Sequence, residues 1–360
     1  LTLTAGTGGN ITFDLAVGGT APLAVISIPS AQDVTGSLGV SATSLSQITG
    51  SGLTTLNGAV TTTGAAGVSL QNNSITVSNT ITTTTGNGTV TLNASSGTLT
   101  LAAAADISSG GIVELTGSTG ISTAGDVTTT GDAVNYNSAV TLTGAVAVNT
   151  TSGSAAGAAI DFDSTVNGAF DLTLTAGTGG NITFDLAVGG TTPLAVITIA
   201  SAQNVTGSFG ISATSLTQSA GSGLTPLPGA VTTTGAAGVS LQNNSITVNN
   251  TITTTTGNGT VTLNASSGTL TLAAAGDISS GGIVELTGST GISTAGDVTT
   301  TGDAVNYNSA VTLTGAVAVN TTSGYAAAAA IDFDSTVNGA FNLTLSGGTG
   351  GNLTFDQAVG

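Results

Sequence analysis

A 171-residue unit occurs twice in this chain, and a third copy begins before the sequence stops. Leu1–Thr20 returns letter for letter at Leu172–Thr191, and Leu343–Gly360 restarts the unit with small changes. The two complete copies differ at about 16 positions and align without insertion or deletion. A catalytic domain gains little from a near-identical second copy, whereas a fibre gains length from each copy. We therefore expect one continuous rod, part of a longer chain, with a first repeat, a second repeat and the start of a third: 1–171, 172–342 and 343–360.

The composition excludes several classes of function. The chain has 17 acidic residues and no Lys, Arg or His, which gives a formal net charge of −17, and it has no Cys. Nucleic acids and anionic lipids are bound through cationic side chains, so neither is an expected partner. Metal sites built from His or Cys, and catalytic triads that need His, are impossible. No apolar run approaches the roughly 18–20 residues that cross a bilayer, so we expect no membrane insertion of this segment.

Short runs that alternate apolar with polar residues recur along the chain, and Gly, Asn or Ser closes each run. In Asn10–Phe13, Ile11 and Phe13 would point to one side of a strand and Thr12 to the other. Further examples are Ser74–Val77, Thr89–Leu92, Thr98–Leu101, Val134–Asn137, Val140–Thr143 and Ile160–Asp163. Two Ala-rich stretches resemble helix, but both are too short to be stable helices. They are Leu101–Asp106 and Ala326–Ala330.

The alternating runs predict an all-β fold. Strands of about 3–5 residues are too short for most immunoglobulin-like sandwiches, but they suit a coil that stacks on itself, which is a parallel β-helix or β-solenoid. Coils of about 19 or 21 residues would divide each repeat into about 8–9 coils, and a stacking distance of ~4.8 Å would make each repeat ~40 Å long.

Differences between the two copies mostly exchange like for like. Leu38, for example, becomes Phe209, which keeps the position apolar. Ile48 becomes Ser219, which indicates an exposed position. Ala21–Asn57 collects most of the differences, so we expect it to be the least regular part of the coil. Six phenylalanines are predicted to stack in the core: Phe13, Phe162 and Phe170, with Phe184, Phe333 and Phe341.

The runs Val90–Gly111 and Ile112–Asp132 read as successive coils, with Leu, Val and Ile inward and Gly or Asn at the corners. This sequence resembles the repeat region of very large secreted bacterial adhesins of the filamentous haemagglutinin type. The resemblance implies a right-handed parallel β-helix, export through a partner pore and a role in attachment or aggregation. The Asn-Pro-Asn motifs of that family's secretion domain are absent. The resemblance therefore implies a stalk rather than a recognition tip.

Two pairs of carboxylates are candidate metal ligands. Asp161 and Asp163 would lie on one face of a strand about 7 Å apart, and Asp332 and Asp334 repeat the pair. Oxygen ligands of this kind suit Ca²⁺. The loop patterns of the EF-hand and of the calcium-binding β-rolls are absent, so the alternative is a solvated acidic patch.

Two further functions fit the sequence less well. The same carboxylates could act as the acid and base of a polysaccharide-cleaving enzyme. The chain has no Trp and only three Tyr to hold sugar rings, at Tyr136, Tyr307 and Tyr325, so we expect no enzyme activity. Thr61–Thr63, Thr82–Thr85 and Thr128–Thr130 resemble the Thr faces of ice-binding solenoids. Their spacing, about 21 and 46 residues, is not a single coil length, and this argues against ice binding.

The sequence therefore predicts a secreted structural protein. We expect an extracellular fibre, stalk or matrix strand at the cell surface that associates with itself in fibres or bundles or with other surface components. The alternative is an adhesin whose repeat face binds glycan or another cell directly.

Overall fold

The computed structural model describes residues 1–208, 210–323 and 329–360. Over these residues the chain is an all-β parallel β-solenoid of about 16 turns, with about 22 residues between successive turns. Its only helical segments in the described part are two short 3-10 turns, Thr84–Gly86 and Thr255–Gly257. The predicted fold class is therefore confirmed. The chain divides into two compact units, Leu1–Leu186 and Ala187–Gly360.

In the first unit, most turns place one strand on each of three faces, which we name A, B and C. Face A consists of Val60–Thr62, Ile81–Thr82, Ile107–Ser109, Val127–Thr129, Val146–Asn149 and Leu172–Thr175. Face B consists of Val68–Asn72, Val90–Ala94, Val113–Gly117, Val134–Tyr136, Ile160–Phe162 and Ile182–Phe184. Face C consists of Ile11–Phe13, Val34–Gly36, Leu53–Leu56, Ser74–Val77, Thr98–Leu101, Gly120–Thr123, Val140–Leu142 and Val166–Asn167. Two longer strands, Leu23–Ser30 and Val40–Gln47, span faces A and B, and Thr2–Thr4 pairs with the first of them.

The second unit repeats this arrangement. Its face A consists of Val231–Thr233, Ile252–Thr253, Ile278–Ser280, Val298–Thr300, Val317–Asn320 and Leu343–Ser346. Its face B consists of Val239–Asn243, Val261–Ala265, Val284–Gly288, Val305–Tyr307, Ile331–Phe333 and Leu353–Phe355. Its face C consists of Leu224–Leu227, Ser245–Val248, Leu270–Leu272, Ile292–Thr294, Val311–Leu313 and Val337–Asn338. The long strands are Leu194–Ser201 and Ile211–Gln218, and Val205–Gly207 lies between them.

Alternation along each strand builds the core. In Val90–Ala94, Val90, Leu92 and Ala94 are buried, and the residues between them are half-buried. Parallel pairing in register then places like residues on like residues, as in the buried column of Val68, Val90 and Val113. Each turn therefore buries its apolar side chains against identical or similar ones on both neighbours, which is the main source of stability in a solenoid.

Aromatic rings continue this stacking inside face B. The ring centroids of Tyr136 and Phe162 lie 4.7 Å apart, and those of Phe162 and Phe184 lie 5.3 Å apart. The prediction that Phe170 and Phe341 also belong to the core is wrong, because these side chains are 40% and 51% exposed. Both follow the last short strand of face C, where the chain turns back towards face A and side-chain alternation no longer applies.

Ala21–Asn57, where irregularity was expected, differs from the later turns. This stretch contains strands of eight residues, the longest length in the first unit. They run through the position where later turns have a loop between faces A and B. Ser44 and Leu45 are consecutive and both buried, so the bend between the faces lies within the strand. Ile48 is 59% exposed, as predicted. Phe209, Tyr325 and Ala326–Ala328 lie outside the described residues.

The ring stack contains an unsatisfied hydroxyl, which gives a first prediction. Tyr136 and Tyr307 are buried, and neither hydroxyl has a hydrogen-bond partner. Because a buried hydroxyl without a partner costs about 1–3 kcal/mol, Tyr136→Phe/Tyr307→Phe should leave the free energy of unfolding unchanged or raise it by up to that amount. Urea denaturation followed by circular dichroism measures this. Phe162→Ala, which removes a ring from the same stack, should lower the free energy of unfolding by about 3–5 kcal/mol. A clear loss of stability in the Tyr variant would contradict the prediction.

Candidate functional site

Buried hydroxyls line the inner corner between faces A and B. The column consists of Thr62, Thr83, Ser109, Thr129 and Thr150, each fully buried. We name it the hydroxyl column. Each member is the last residue of a face A strand or the residue directly after it, where the chain leaves the sheet.

Four of the five hydroxyls in this column bond to the loops that connect face A to face B, whereas Thr62 Oγ1 has no hydrogen-bond partner. Thr83 donates to the carbonyl oxygen of Gly88, Ser109 Oγ donates to that of Gly111 at 2.8 Å, and Thr150 Oγ1 donates to that of Ala158 at 2.8 Å. The same type of hydrogen bond therefore closes loops of very different length at the corner between faces A and B. In one of them Asn87 has φ 51°, in the left-handed region that Asn tolerates well. Loops of variable length at one corner are where solenoids commonly bind partners.

These loops change the residue spacing between neighbouring turns. The backbone N–H of Asp126 donates to Asp106, 20 residues away, whereas Thr83 bonds to Ser109, 26 residues away. Outward Thr residues therefore form ladders although their sequence spacing is irregular. Thr61 pairs with Thr82, and Ser108 joins Thr82 to Thr128. The irregular sequence spacing of the Thr clusters therefore does not exclude Thr ladders, because the coils differ in length.

A second ladder lies on face C of the first unit. It consists of Thr12, Thr35, Thr55, Thr76, Thr100, Ser122 and Thr141, which pair in register from turn to turn. We name it the face-C ladder. Its side chains are half-buried or exposed, and their hydroxyls have no hydrogen-bond partner among the described residues.

The candidate carboxylates lie on face B, in register with other polar residues. Glu114, Asn135 and Asp161 occupy successive turns. Asn135 Nδ2 donates to Glu114 Oε1 at 2.7 Å, and Asn137 Nδ2 donates to Glu114 Oε2 at 3.0 Å. These two side-chain amides therefore satisfy both carboxylate oxygens of Glu114. Asp161, the next carboxylate in this row, has no side-chain amide bonded to it among the described residues.

Asp161 is half-buried, and its Oδ1 is buried without a hydrogen-bond partner. Burial raises the pKa of Asp161 above the ordinary aspartate value, and the negative charges of Asp163 and Asp185 raise it further. The second unit has the same arrangement, in which burial and the charges of Asp334 and Asp356 raise the pKa of Asp332.

The structure brings the predicted pairs together on one face but adds no further ligands. Asp163 is exposed beside the half-buried Asp161. No group of three or more acidic side chains in the described part of the chain is arranged to hold a metal ion. Calcium binding by Asp161, Asp163, Asp332 and Asp334 therefore stays a prediction.

A shallow groove of about 340 Å³ lies in the first unit, against the start of face A. Small residues such as Gly18, Gly39 and Ser41 line it, and none of its lining residues is titratable. The groove therefore offers no acid–base chemistry. No described helix is long and apolar enough to cross a bilayer. The chain matches no protein-family model, no curated protein and no solved structure.

The hydroxyl column gives a second prediction. Thr83→Val removes a buried hydroxyl that donates to the carbonyl oxygen of Gly88 and accepts from the backbone N–H of Gly110 at 3.3 Å, so the free energy of unfolding should fall by about 1–3 kcal/mol. The neighbouring Thr82 points outward and makes no such bond, so Thr82→Val is the matched control and should change stability by less than about 0.5 kcal/mol. Chemical denaturation compares the two variants. Equal effects would show that the hydroxyl does not hold the loop.

Asp161 gives a third prediction. A carboxyl group with a higher pKa in the folded chain binds its proton more tightly there, so its ionisation weakens the fold as the pH rises from the unfolded to the folded pKa. Asp161→Asn/Asp332→Asn should therefore raise Tm at pH 7, and the gain should disappear near about pH 3, where the wild-type carboxyls are protonated. Thermal melting across this pH range measures the difference.

The control for this prediction removes the same number of charges elsewhere. Asp132→Asn/Asp303→Asn changes two acids that lie outside the face B ladder, at the corner between faces A and B. It should give a smaller gain at pH 7. A gain that is equal in both double variants, or that persists at low pH, would refute an effect of Asp161 ionisation.

Proposed function

We propose that this chain is a structural segment of an extracellular fibre or stalk, in which the solenoid itself is the functional element. The observation that carries the proposal is the in-register stacking of successive turns through both repeats. Thr91 and Leu92, for example, each pair with their counterparts on the turns before and after. Each repeat contains a further stack of such turns, so the sequence repeat adds length rather than a new site.

The forces that hold such a segment suit a protein under mechanical load. Backbone hydrogen bonds join each turn to the next, and the buried columns add apolar contact over the whole length of each unit. The absence of Lys and Arg also leaves no site for trypsin-type proteases outside the cell. The 17 carboxylates are spread along the chain, and those separated by more than the ~8 Å Debye length repel weakly in physiological salt.

The fold is the one feature of the structure that agrees with the resemblance to filamentous-haemagglutinin-type adhesins. A parallel β-solenoid agrees with it, and we propose the right-handed sense that the resemblance implies. In that setting the segment is a stalk on the bacterial surface, made for attachment, aggregation or a biofilm matrix.

One observation favours a second function, direct adhesion. The loops between faces A and B differ in length and gather at one corner, as in solenoids that bind partners through such insertions. Thr84–Thr89 and Thr151–Ala159 are the longest of these loops in the first unit. A glycan or another cell surface would contact them rather than the strands.

Imaging of the native material tests the proposal. Gold-labelled antibodies raised against the 360-residue chain should decorate extracellular filaments at intervals along their length. Label confined to filament tips would favour the adhesin, and label confined to the cell interior would overturn the fibre. Saturable binding of the purified chain to a glycan array, lost when the loop Thr151–Ala159 is shortened, would also favour the adhesin.

A further inference from the structure

Side-chain amides are rare in the core of this chain. Among the described residues the buried ones are Gln47 and Asn72 in the first unit and Gln218 and Asn243 in the second. The remaining buried polar side chains all carry hydroxyl groups. A buried amide destabilises a fold unless its donors and acceptors are bonded. These amides therefore mark a place in each unit where the core requires specific neighbours and not merely apolar ones.

Asn72 is the centre of this place in the first unit. Its Oδ1 accepts from the backbone N–H of Gly52 at 2.9 Å, 20 residues earlier. Its Nδ2 donates to the carbonyl oxygen of Gln32 at 3.1 Å, 40 residues earlier, and to Thr54 Oγ1 at 3.0 Å. Thr54 Oγ1 in turn donates to Gln47 Oε1 at 2.6 Å. We name Gln47, Thr54 and Asn72 the amide cluster. It joins the end of a face B strand to the two turns before it.

The amide cluster fits closely, and the second unit repeats it. A Cβ atom at Gly50 would lie 2.3 Å from Asn72 Oδ1, so a residue with a side chain at this position would displace the amide. In the second unit Thr225 Oγ1 donates to Gln218 Oε1 at 2.7 Å, and Asn243 Nδ2 donates to Thr225 Oγ1 at 2.8 Å. The same three residue types therefore make the same contacts in both units.

The apolar columns alone do not determine which residues of neighbouring strands pair. The strand Val68–Asn72 pairs with the end of Val40–Gln47, with Ser69 opposite Ser46. A shift by one residue would turn its inward side chains outward, but a shift by two residues keeps every side chain on its own side. Gln71 would then lie opposite Ser46, and the inward positions would still be filled from the same strands. A second constraint is needed to exclude the shifted pairing.

The amide cluster supplies such a constraint. A shift of two residues would carry Asn72 away from Gly52 and Gln32 and leave its amide in the core without partners, which is costly for a buried polar group. A single buried polar residue fixes the register of some coiled coils in the same way.

We propose that the amide cluster fixes the register of the strands in each unit, at the point where the long strands are followed by shorter ones. The inference goes beyond the proposed function and does not depend on it. It concerns the pairing within one unit, so it can fail while the imaging test of the fibre still succeeds.

Disulfide trapping in the full chain tests the proposal, because the chain has no Cys and an introduced pair supplies the only thiols. Ser46→Cys/Ser69→Cys reports the native register, since paired Cα atoms of neighbouring strands lie ~4.8 Å apart, within reach of a disulfide. Ser46→Cys/Gln71→Cys reports the shifted register, since in the native one these Cα atoms lie beyond the ~7 Å limit. Each chain is refolded from urea in reductant and then oxidised, and mass spectrometry measures the disulfide-bonded fraction.

With the amide cluster intact, the native pair should form a disulfide and the shifted pair should not. Asn72→Leu removes the amide and keeps a side chain of similar size, and it should raise the shifted disulfide about tenfold or more, because the penalty for the shifted register is lost. The matched control is Leu70→Ala in the same strand. It weakens the apolar core, leaves the amide cluster in place and should leave the shifted disulfide at its original level.

A second variant covers the case in which Asn72→Leu does not fold. Gly50→Ala displaces the Asn72 side chain while every member of the cluster is retained, and it should also raise the shifted disulfide. Circular dichroism verifies that each variant is folded. A shifted disulfide that stays at its original level in the folded variants, or that rises equally in Leu70→Ala, would overturn the proposal. The amide cluster would then contribute to stability alone.

Discussion

Parallel pairing from one turn to the next is the interaction on which the rest of this structure depends. It places each inward residue on an equivalent residue of the neighbouring turn, so the column of Val68, Val90 and Val113 is continuous and fully buried. The same register places outward residues on each other, which builds the hydroxyl ladders and the row from Glu114 to Asp161. A substitution in this molecule is therefore felt on two neighbouring turns as well as on its own.

Because of the hydroxyl column, the register of the strands does not depend on the number of residues in the loops between them. Thr83, Ser109 and Thr150 bond to loop carbonyls, and so they return loops of unequal length to the same starting point on face B. Insertions at this corner leave the strands undisturbed. Loop variation and strand stacking can then change independently, which allows one solenoid both to extend and to present different loops.

Charge and repetition shape the surface in different ways on the three faces. In the first unit, Glu114 and Asp161 lie on strands of face B, and Asp106, Asp126 and Asp171 come directly before strands of face A. The strands of face C contain no acidic residue, but Asp14 and Asp33 directly flank two of them. One exchange between the repeats changes the charge but keeps a contact, since Asp33 and Asn204 accept the same backbone hydrogen bond from Leu53 and Leu224 at 2.8 Å.

The sequence by itself determined the strands, their inward residues and the class of fold, because alternation with a period of two is a local property. It also placed Asp161 and Asp163 on one face. Only the tertiary structure decided which turns lie together, since loop length at the corner between faces A and B shifts the spacing. Phe170 was wrongly placed in the core because it follows the last short strand of face C, where side-chain alternation no longer applies. The unpartnered hydroxyl of Tyr136 and the unpartnered oxygen of Asp161 also depend on neighbours one turn away, which no local pattern identifies.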